Sequence, residues 1–82
     1  MANLLYFGKL VEITRHAQEK IDLPPTLSTT DDLRKWIDER LESEGLFLEP
    51  TIRIAINNEI VIEPHAINQS DEIAFMPPVG GG

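Results

Sequence analysis

One stretch of the sequence, LSTTDDLRKWIDERLESEG at residues 27–45, constrains the fold more than any other. Four of its apolar residues stand at i, i+3, i+4 and i+8: Leu33, Trp36, Ile37 and Leu41. This spacing places them in one stripe along an α-helix, with polar residues on the remaining surface. The stretch therefore predicts an amphipathic helix over about residues 30–44 that lays one side on the rest of the protein.

Both ends of this predicted helix carry residues that favour helix ends. Residues 28–30 are Ser, Thr and Thr, all good N-caps. Asp31 and Asp32 follow in the first turn, where the helix dipole stabilises negative charge. Gly45 comes after the last turn and is the expected stop, because glycine readily adopts the left-handed conformation there.

The polar face of the predicted helix is expected to be solvent-exposed. Asp31 and Lys35 are four residues apart, as are Arg34 and Asp38, so each couple is predicted to form a surface ion pair. Acid–base catalysis needs carboxyl groups in a cleft with perturbed pKa values. We therefore do not expect the carboxylates of this face to be catalytic.

Short segments with strand character surround the helix. They are NLLYFG (3–8), EKIDLP (19–24), TIRIAIN (51–57), EIVIE (59–63) and EIAFM (72–76), with a short helix predicted within 9–17. Asn57-Asn58 suits positive φ and predicts a tight hairpin between the third and fourth strands. The order predicts an α+β fold of the ubiquitin-like β-grasp type, with one main helix packed on a mixed sheet of four to five strands. We expect this domain to span 1–76, followed by an extended, flexible C-terminal tail at 77–82.

Charge and composition exclude several classes of function. Fourteen acidic residues against seven basic ones give a net charge of −7, which disfavours nucleic acid as a partner. No apolar run is long enough to span a membrane, and no secretion signal is visible, so we expect a cytoplasmic protein. The absence of cysteine excludes disulfides, thiolate metal sites and a cysteine nucleophile. His16 and His65 lack partners at metal-ligand spacing, so no metal site is predicted.

The most unusual segment is the end of the chain, EIAFMPPVGGG at residues 72–82. One interpretation is a loose end. The alternative is that Pro77-Pro78 projects the glycines away from the fold, because proline favours extended chain. Fully extended, residues 77–82 would reach about 20 Å. Glycines without Cβ fit a narrow channel, and only the terminal carboxylate would need desolvation. This interpretation predicts a C-terminus that is presented to another enzyme and activated there with ATP.

LLYFGKLVE (4–12) and DEIAFMPPVGGG (71–82) together resemble the MoaD family, the small subunits of molybdopterin synthase. The resemblance implies that Gly82 is adenylated by a ubiquitin-activating-type adenylyltransferase that uses ATP. A persulfide sulfur donor would then convert Gly82 to a thiocarboxylate, which donates sulfur to the pterin precursor of the molybdenum cofactor. It also implies that the residues before Gly82 insert into the molybdopterin synthase large subunit, in a heterotetramer of two small and two large subunits: Pro77, Pro78, Val79, Gly80 and Gly81.

The same resemblance implies no stably bound cofactor and no active site within the chain itself. By motif position it places a partner interface at Phe7, Ile60 and Met76, although ordinary core packing would also explain each of these residues. Phe7 and Met76 become neighbours if the first and last strands pair. Many members carry an aromatic residue at the position of Met76, and methionine still offers an adaptable apolar contact.

Three alternatives stay open at this point. The chain could carry sulfur for another pathway, such as thiamine synthesis, although such carriers are generally shorter and usually lack Pro-Pro-Val. It could be a ubiquitin-like modifier that is conjugated to lysines through Gly82. It could also be an interaction module with an idle tail, in which case removal of Gly81 and Gly82 would have no effect.

Overall fold

A computed structural model describes residues 1–78, and residues 79–82 lie outside the described part. The strands are β1 (Ala2–Tyr6), β2 (Gln18–Ile21), β3 (Arg53–Ile56), β4 (Glu59–Ile60) and β5 (Glu72–Met76). The helices are α1 (Leu10–Thr14) and α2 (Thr30–Leu41), followed by a 3₁₀ helix at Leu46–Leu48 that the sequence did not predict. All five predicted strands and both predicted helices are present, most of them shorter than predicted.

The strands form one mixed sheet in the order β2-β1-β5-β3-β4. β1 and β5 run parallel, whereas β5 and β3, β3 and β4, and β1 and β2 are antiparallel. The first and last strands are therefore paired, which was the condition for Phe7 and Met76 to be neighbours. The last strand lies in the centre of the sheet.

The core lies between the sheet and α2. Most residues of the central strands β3 and β5 are buried, as is Leu4 of β1, and Leu33 and Ile37 of α2 are fully buried against them. Burial of each such side chain contributes about 1.5–3 kcal/mol. Helix α2 is thus held by its predicted apolar stripe, with Trp36 and Leu41 partly buried at the margin.

Helix α2 begins as the sequence predicts. Thr29 is the N-cap, and its hydroxyl accepts a hydrogen bond from the backbone N–H of Asp32. The Asp32 carboxylate accepts in return from the backbone N–H groups of Ser28 and Thr29, at 2.9 and 3.1 Å. These bonds form a capping box and lower the pKa of Asp32, since they favour the ionised carboxylate.

The predicted end of α2 is wrong by about one turn. The helix ends at Leu41, and Glu42 adopts the left-handed conformation with φ 50°. The Asp38 carboxylate explains the early end, because it accepts from the Ser43 hydroxyl and from the Gly45 backbone N–H. Gly45 does not stop α2; it precedes the 3₁₀ helix with φ 89°.

Both predicted surface ion pairs of α2 are also wrong. The ion pairs found among residues 1–78 join Arg34 to Glu63 and Arg40 to Glu19, and neither Asp31–Lys35 nor Arg34–Asp38 is among them. Arg34 is buried, with only 6% of its surface exposed. Its guanidinium therefore makes contacts inside the protein. The i, i+4 spacing of charged residues along a helix does not predict such contacts.

The hairpin between β3 and β4 is confirmed. Asn57 and Asn58 have φ of 51° and 72°, the positive values that a two-residue hairpin turn requires. Ile56 pairs with Glu59 across this turn. The Asn57 side chain also contacts the start of β5: its amide donates to Asp71, and its carbonyl accepts from the Glu72 backbone N–H.

Candidate functional site

The C-terminal segment leaves the fold from the central strand of the sheet. β5 is hydrogen-bonded on one side to β1 and on the other to β3, and its register pairs Phe75 with both Tyr6 and Ile54. The backbone N–H of Phe7 donates to the carbonyl of Phe75 at 3.2 Å, which extends the pairing to the end of β1. The base of the segment is therefore held by two neighbouring strands up to Met76.

Pro77 and Pro78 follow β5 and lie between two clefts. Pro77 is partly buried and Pro78 is exposed. Both prolines line a cleft of about 220 Å³ next to Lys9 and Ile13. They also line a second cleft of about 540 Å³, which lies beside Met76 and Ile60. The remaining predicted tail residues lie outside the described part of the chain: Val79, Gly80, Gly81 and Gly82.

Of the three residues predicted as a partner interface, Ile60 and Met76 line this second cleft, and Phe7 lies beside Met76. Phe7 is 48% exposed and Ile60 is 59% exposed, whereas Met76 is partly buried. The pairing of Tyr6 with Phe75 sets Phe7 beside Met76 at the ends of the two parallel strands. Met76 and Ile60 line the same cleft. We call Phe7, Ile60 and Met76 the outer patch.

Small residues connect the members of the outer patch across the sheet. Ala74 of β5 pairs with Ala55 of β3, and Ala55 pairs in turn with Ile60 of β4. Ala74 also pairs with Leu5 of β1, which is partly buried. Leu5, Ala55 and Ala74 alternate with core residues of the same strands, so they belong to the face opposite α2. The sequence analysis did not single them out, although the alternation of alanine with isoleucine in β3 was a usable signal.

An aromatic cluster supports the outer patch from the core side. Tyr6 and Phe75 are stacked, with ring centroids 5.8 Å apart and planes 10° apart. Phe47 meets Phe75 edge to face at 5.3 Å and Tyr6 at 6.3 Å. Tyr6 and Phe75 directly precede Phe7 and Met76 in sequence, so the backbone of two patch residues is tied to rigid, buried rings.

Few charges surround the base of the C-terminal segment. Arg53 lines the cleft with Ile60 and Met76 and pairs with Met76 in the sheet register. Lys9, Glu12 and Glu49 line the cleft on the other side of the prolines. After Glu72 no residue of the sequence carries a charged side chain. The outer patch is therefore an apolar surface with one cationic residue at its edge.

Tyr6 has the most strongly shifted pKa, and its hydroxyl has a structural role. Burial raises the pKa of the Tyr6 hydroxyl, which donates to a Glu19 carboxylate oxygen at 2.8 Å. Arg40 donates to both oxygens of Glu19, at 2.6 and 3.2 Å, and this bond lowers the pKa of Glu19. These three side chains join β1 and β2 to α2. Their shifts are explained by structural hydrogen bonds and burial.

Within residues 1–78 no group of three His, Asp or Glu side chains lies close enough together to hold a metal ion. His16 and His65 are both exposed. The helices described in that range are too short or too polar to cross a membrane.

A comparison with protein families matches residues 4–82 to the ThiS family. The chain belongs to the ThiS family. The ThiS match begins within β1 and includes β5, both prolines and the terminal glycines, so the C-terminal segment is part of the family pattern.

Two curated relatives are matched over nearly their whole length. The molybdopterin synthase sulfur carrier subunit of Haemophilus influenzae is 31% identical over 83 residues, covering 100% of both chains. The protein of the same name from Dictyostelium discoideum is 33% identical over 81 residues, covering 96% of this chain and 93% of its own. The resemblance to small subunits of molybdopterin synthase is confirmed at the level of the family.

The fold has solved counterparts. Small archaeal modifier protein 1 from Haloferax volcanii superposes with a TM-score of 0.75 at 20% identity, covering 99% of this chain and 98% of its own. At that identity the likeness concerns the fold alone. The ubiquitin-like β-grasp architecture predicted from the element order is confirmed.

Proposed function

We propose that this ThiS-family chain is the sulfur carrier of a molybdopterin synthase, with sulfur carried as a thiocarboxylate on Gly82. The observation that carries the proposal is the end-to-end match to sulfur carrier subunits of molybdopterin synthase, which includes the Pro-Pro-Val-Gly-Gly-Gly segment. The placement of this segment directly after the central strand supports it, because the fold can then hold the base while the glycines enter a partner.

The chemistry needs no side chain of this protein. A Gly82 carboxylate oxygen would attack the α-phosphorus of ATP within an adenylyltransferase, releasing pyrophosphate and forming an acyl-adenylate. A persulfide sulfur would displace AMP from the acyl carbon, and a thiol would cleave the S–S bond to leave the thiocarboxylate. Glycine suits these steps because no side chain hinders attack at its carbonyl.

The partners follow from this scheme. The molybdopterin synthase large subunit would receive the C-terminal segment and supply the site in which sulfur passes to the pterin precursor. The outer patch is the proposed docking surface for that subunit and for the adenylyltransferase. Its apolar character and its position at the base of the segment support this role, since docking there would bring the segment to a partner's channel.

Intact-mass analysis tests the proposal. The chain is incubated with ATP, its cognate adenylyltransferase and a persulfide donor, and we expect the mass increase of one oxygen-to-sulfur exchange. A matched chain that lacks Gly82 controls for sulfur added elsewhere and is expected to keep its mass. No exchange on the full chain would overturn the carrier proposal.

The fate of Gly82 separates the carrier from a modifier. A thioacid that is consumed when the large subunit and pterin precursor are added supports the carrier role. An amide bond from Gly82 to a lysine of another protein would instead indicate a ubiquitin-like modifier. Transfer of sulfur to a thiamine precursor and not to the pterin would assign the carrier to the other pathway.

A further inference from the structure

The turn between β1 and α1 lies against the base of the C-terminal segment. Gly8 follows Phe7 in this turn, and its carbonyl accepts a hydrogen bond from the backbone N–H of Val11 at 3.2 Å. Because β1 and β5 are parallel neighbours, the residues that follow both strands emerge at the same edge of the sheet. Gly8 and Pro77 are therefore brought together by the pairing of the first and last strands.

The Pro77 ring leaves little room for a side chain at position 8, because an added Cβ would require the ring to shift by a few tenths of an ångström. A Cβ placed on Gly8 would lie 3.0 Å from Cγ and 3.9 Å from Cδ of the Pro77 ring. The first distance is shorter than ordinary carbon–carbon contact, which is about 3.5–4.0 Å. The Pro77 ring thus occupies the space that a larger residue would fill.

Gly45 shows that a turn alone does not create such a contact. Its φ of +89° is left-handed like the +56° of Gly8, yet a Cβ at Gly45 would meet nothing within 4 Å. At Gly45 backbone conformation by itself explains the glycine. At Gly8 the ring of Pro77 imposes a second requirement.

We infer that Gly8 is a positioning residue, whose missing Cβ seats Pro77 and thereby sets the direction in which the C-terminal segment leaves the sheet. Pro77 and Pro78 lie between the cleft beside Lys9 and Ile13 and the cleft beside Ile60 and Met76. A Pro77 ring pushed away from Gly8 turns the segment relative to these two clefts. The inference rests on the proposed function in so far as this direction matters for sulfur transfer.

The C-terminal segment is long enough for a small change of direction at Pro77 to displace its end. Residues 77–82 span about 20 Å when extended in a partner, so a turn of about 3° at the base moves the terminal carbonyl by about 1 Å. Misplacement of a reacting group by about 1 Å can cost 100-fold in rate. Binding through the outer patch would be unaffected, because Phe7, Ile60 and Met76 keep their places.

Asparagine substitutions at the two glycines separate the contact from backbone strain. Asparagine is one of the residues that best tolerate positive φ, so both substitutions keep the added backbone strain low, while Gly8→Asn places its Cβ against Pro77 and Gly45→Asn places its Cβ in open space. The direction of the segment is measured from one-bond Cα–Hα residual dipolar couplings of Pro77 and Pro78 relative to those of the sheet. We expect these couplings to change in Gly8→Asn and to stay at wild-type values in Gly45→Asn.

Removal of the Pro77 ring provides a second test of the same contact. In a Pro77→Ala background the atom that meets the added Cβ is gone, so Gly8→Asn is expected to cause no further change in the Pro78 couplings. With purified large subunit, the single-turnover sulfur-transfer rate is expected to fall about fivefold to tenfold in Gly8→Asn, below the largest effects of misplacement. Its Kd for the large subunit is expected to stay within twofold of wild type.

Unchanged Pro77 and Pro78 couplings in Gly8→Asn would overturn the inference, whatever the activity. Equal changes in Gly8→Asn and Gly45→Asn would assign the effect to the turns and overturn it too. An inactive wild type would instead count against the proposed function. The couplings then still decide whether Gly8 positions Pro77.

Discussion

The guanidinium of Arg34 donates to both carboxylate oxygens of Glu63, at 2.8 and 2.7 Å, from a side chain with 7% exposure. Its other donors reach the backbone carbonyls of Phe47, Glu49 and Ile52. One side chain of α2 therefore joins the 3₁₀ helix, the approach to β3 and the loop after β4. Phe47 belongs to the aromatic cluster, so this network also supports the core behind the outer patch.

Arg34→Ala is expected to lower the free energy of unfolding by about 3–5 kcal/mol, because it leaves a partly buried carboxylate and three carbonyls without their donor. Urea denaturation followed by far-UV circular dichroism measures the change. Arg40→Ala is the matched control, since Arg40 pairs with Glu19 at 37% exposure and is expected to cost less than about 1 kcal/mol. Equal losses for both variants would contradict the role given to Arg34.

The Arg34–Glu63 pair also predicts a pH dependence. Hydrogen bonding from Arg34 holds the pKa of Glu63 below its ordinary 4.5. A depressed folded-state pKa stabilises the protein above the unfolded-state value, and this stability is lost as pH falls through the folded-state pKa. Denaturation at about pH 7, 5, 4 and 3 should therefore show Glu63→Gln less stable than wild type at neutral pH, with a difference that shrinks below about pH 4.5. A difference that stays constant down to about pH 3 would exclude this linkage.

The two asparagines of the β3–β4 turn are expected to respond differently to glycine. Asn58→Gly should be neutral or slightly stabilising, because an Asn-Gly pair suits this turn. Asn57→Gly removes bonds to the Asp71 carboxylate and the Glu72 N–H, at 3.1 and 3.0 Å, so we expect a loss of about 1–3 kcal/mol. Thermal unfolding compares the two variants, and equal melting temperatures would show that these side-chain bonds contribute little.

The outer patch is tested by two serine substitutions that lie close together. Ile60→Ser removes a patch residue that is 59% exposed, so its effect on stability should be small, while affinity for the large subunit is expected to fall about tenfold. Ile62→Ser is the matched control, because Ile62 is 90% exposed and does not line the cleft with Met76. Isothermal titration calorimetry measures both. A loss of affinity in Ile62→Ser alone would move the interface away from the patch.

Local chemistry explains most of what the sequence predicted correctly. The Thr29 cap and the Asn57-Asn58 turn depend on residues within a few positions of one another, so each can be identified from its own segment. The element order then led to the β-grasp fold. The end of α2 was missed because the Asp38 side chain, and not a glycine, satisfies the backbone after the helix.

The sequence by itself determined the five strands and two α-helices, their order, the fold class and the presence of a Pro-Pro-Val-Gly-Gly-Gly segment directly after a core strand. Only the tertiary structure decided that Arg34 is buried and that β5 lies between β1 and β3. The contact between the Gly8 turn and Pro77 also arises only in the tertiary structure. The physical reason is distance along the chain: caps, turns and periodicity are interactions between near neighbours, whereas these contacts join residues that are far apart in the sequence. Their free energy appears only when the sheet has assembled.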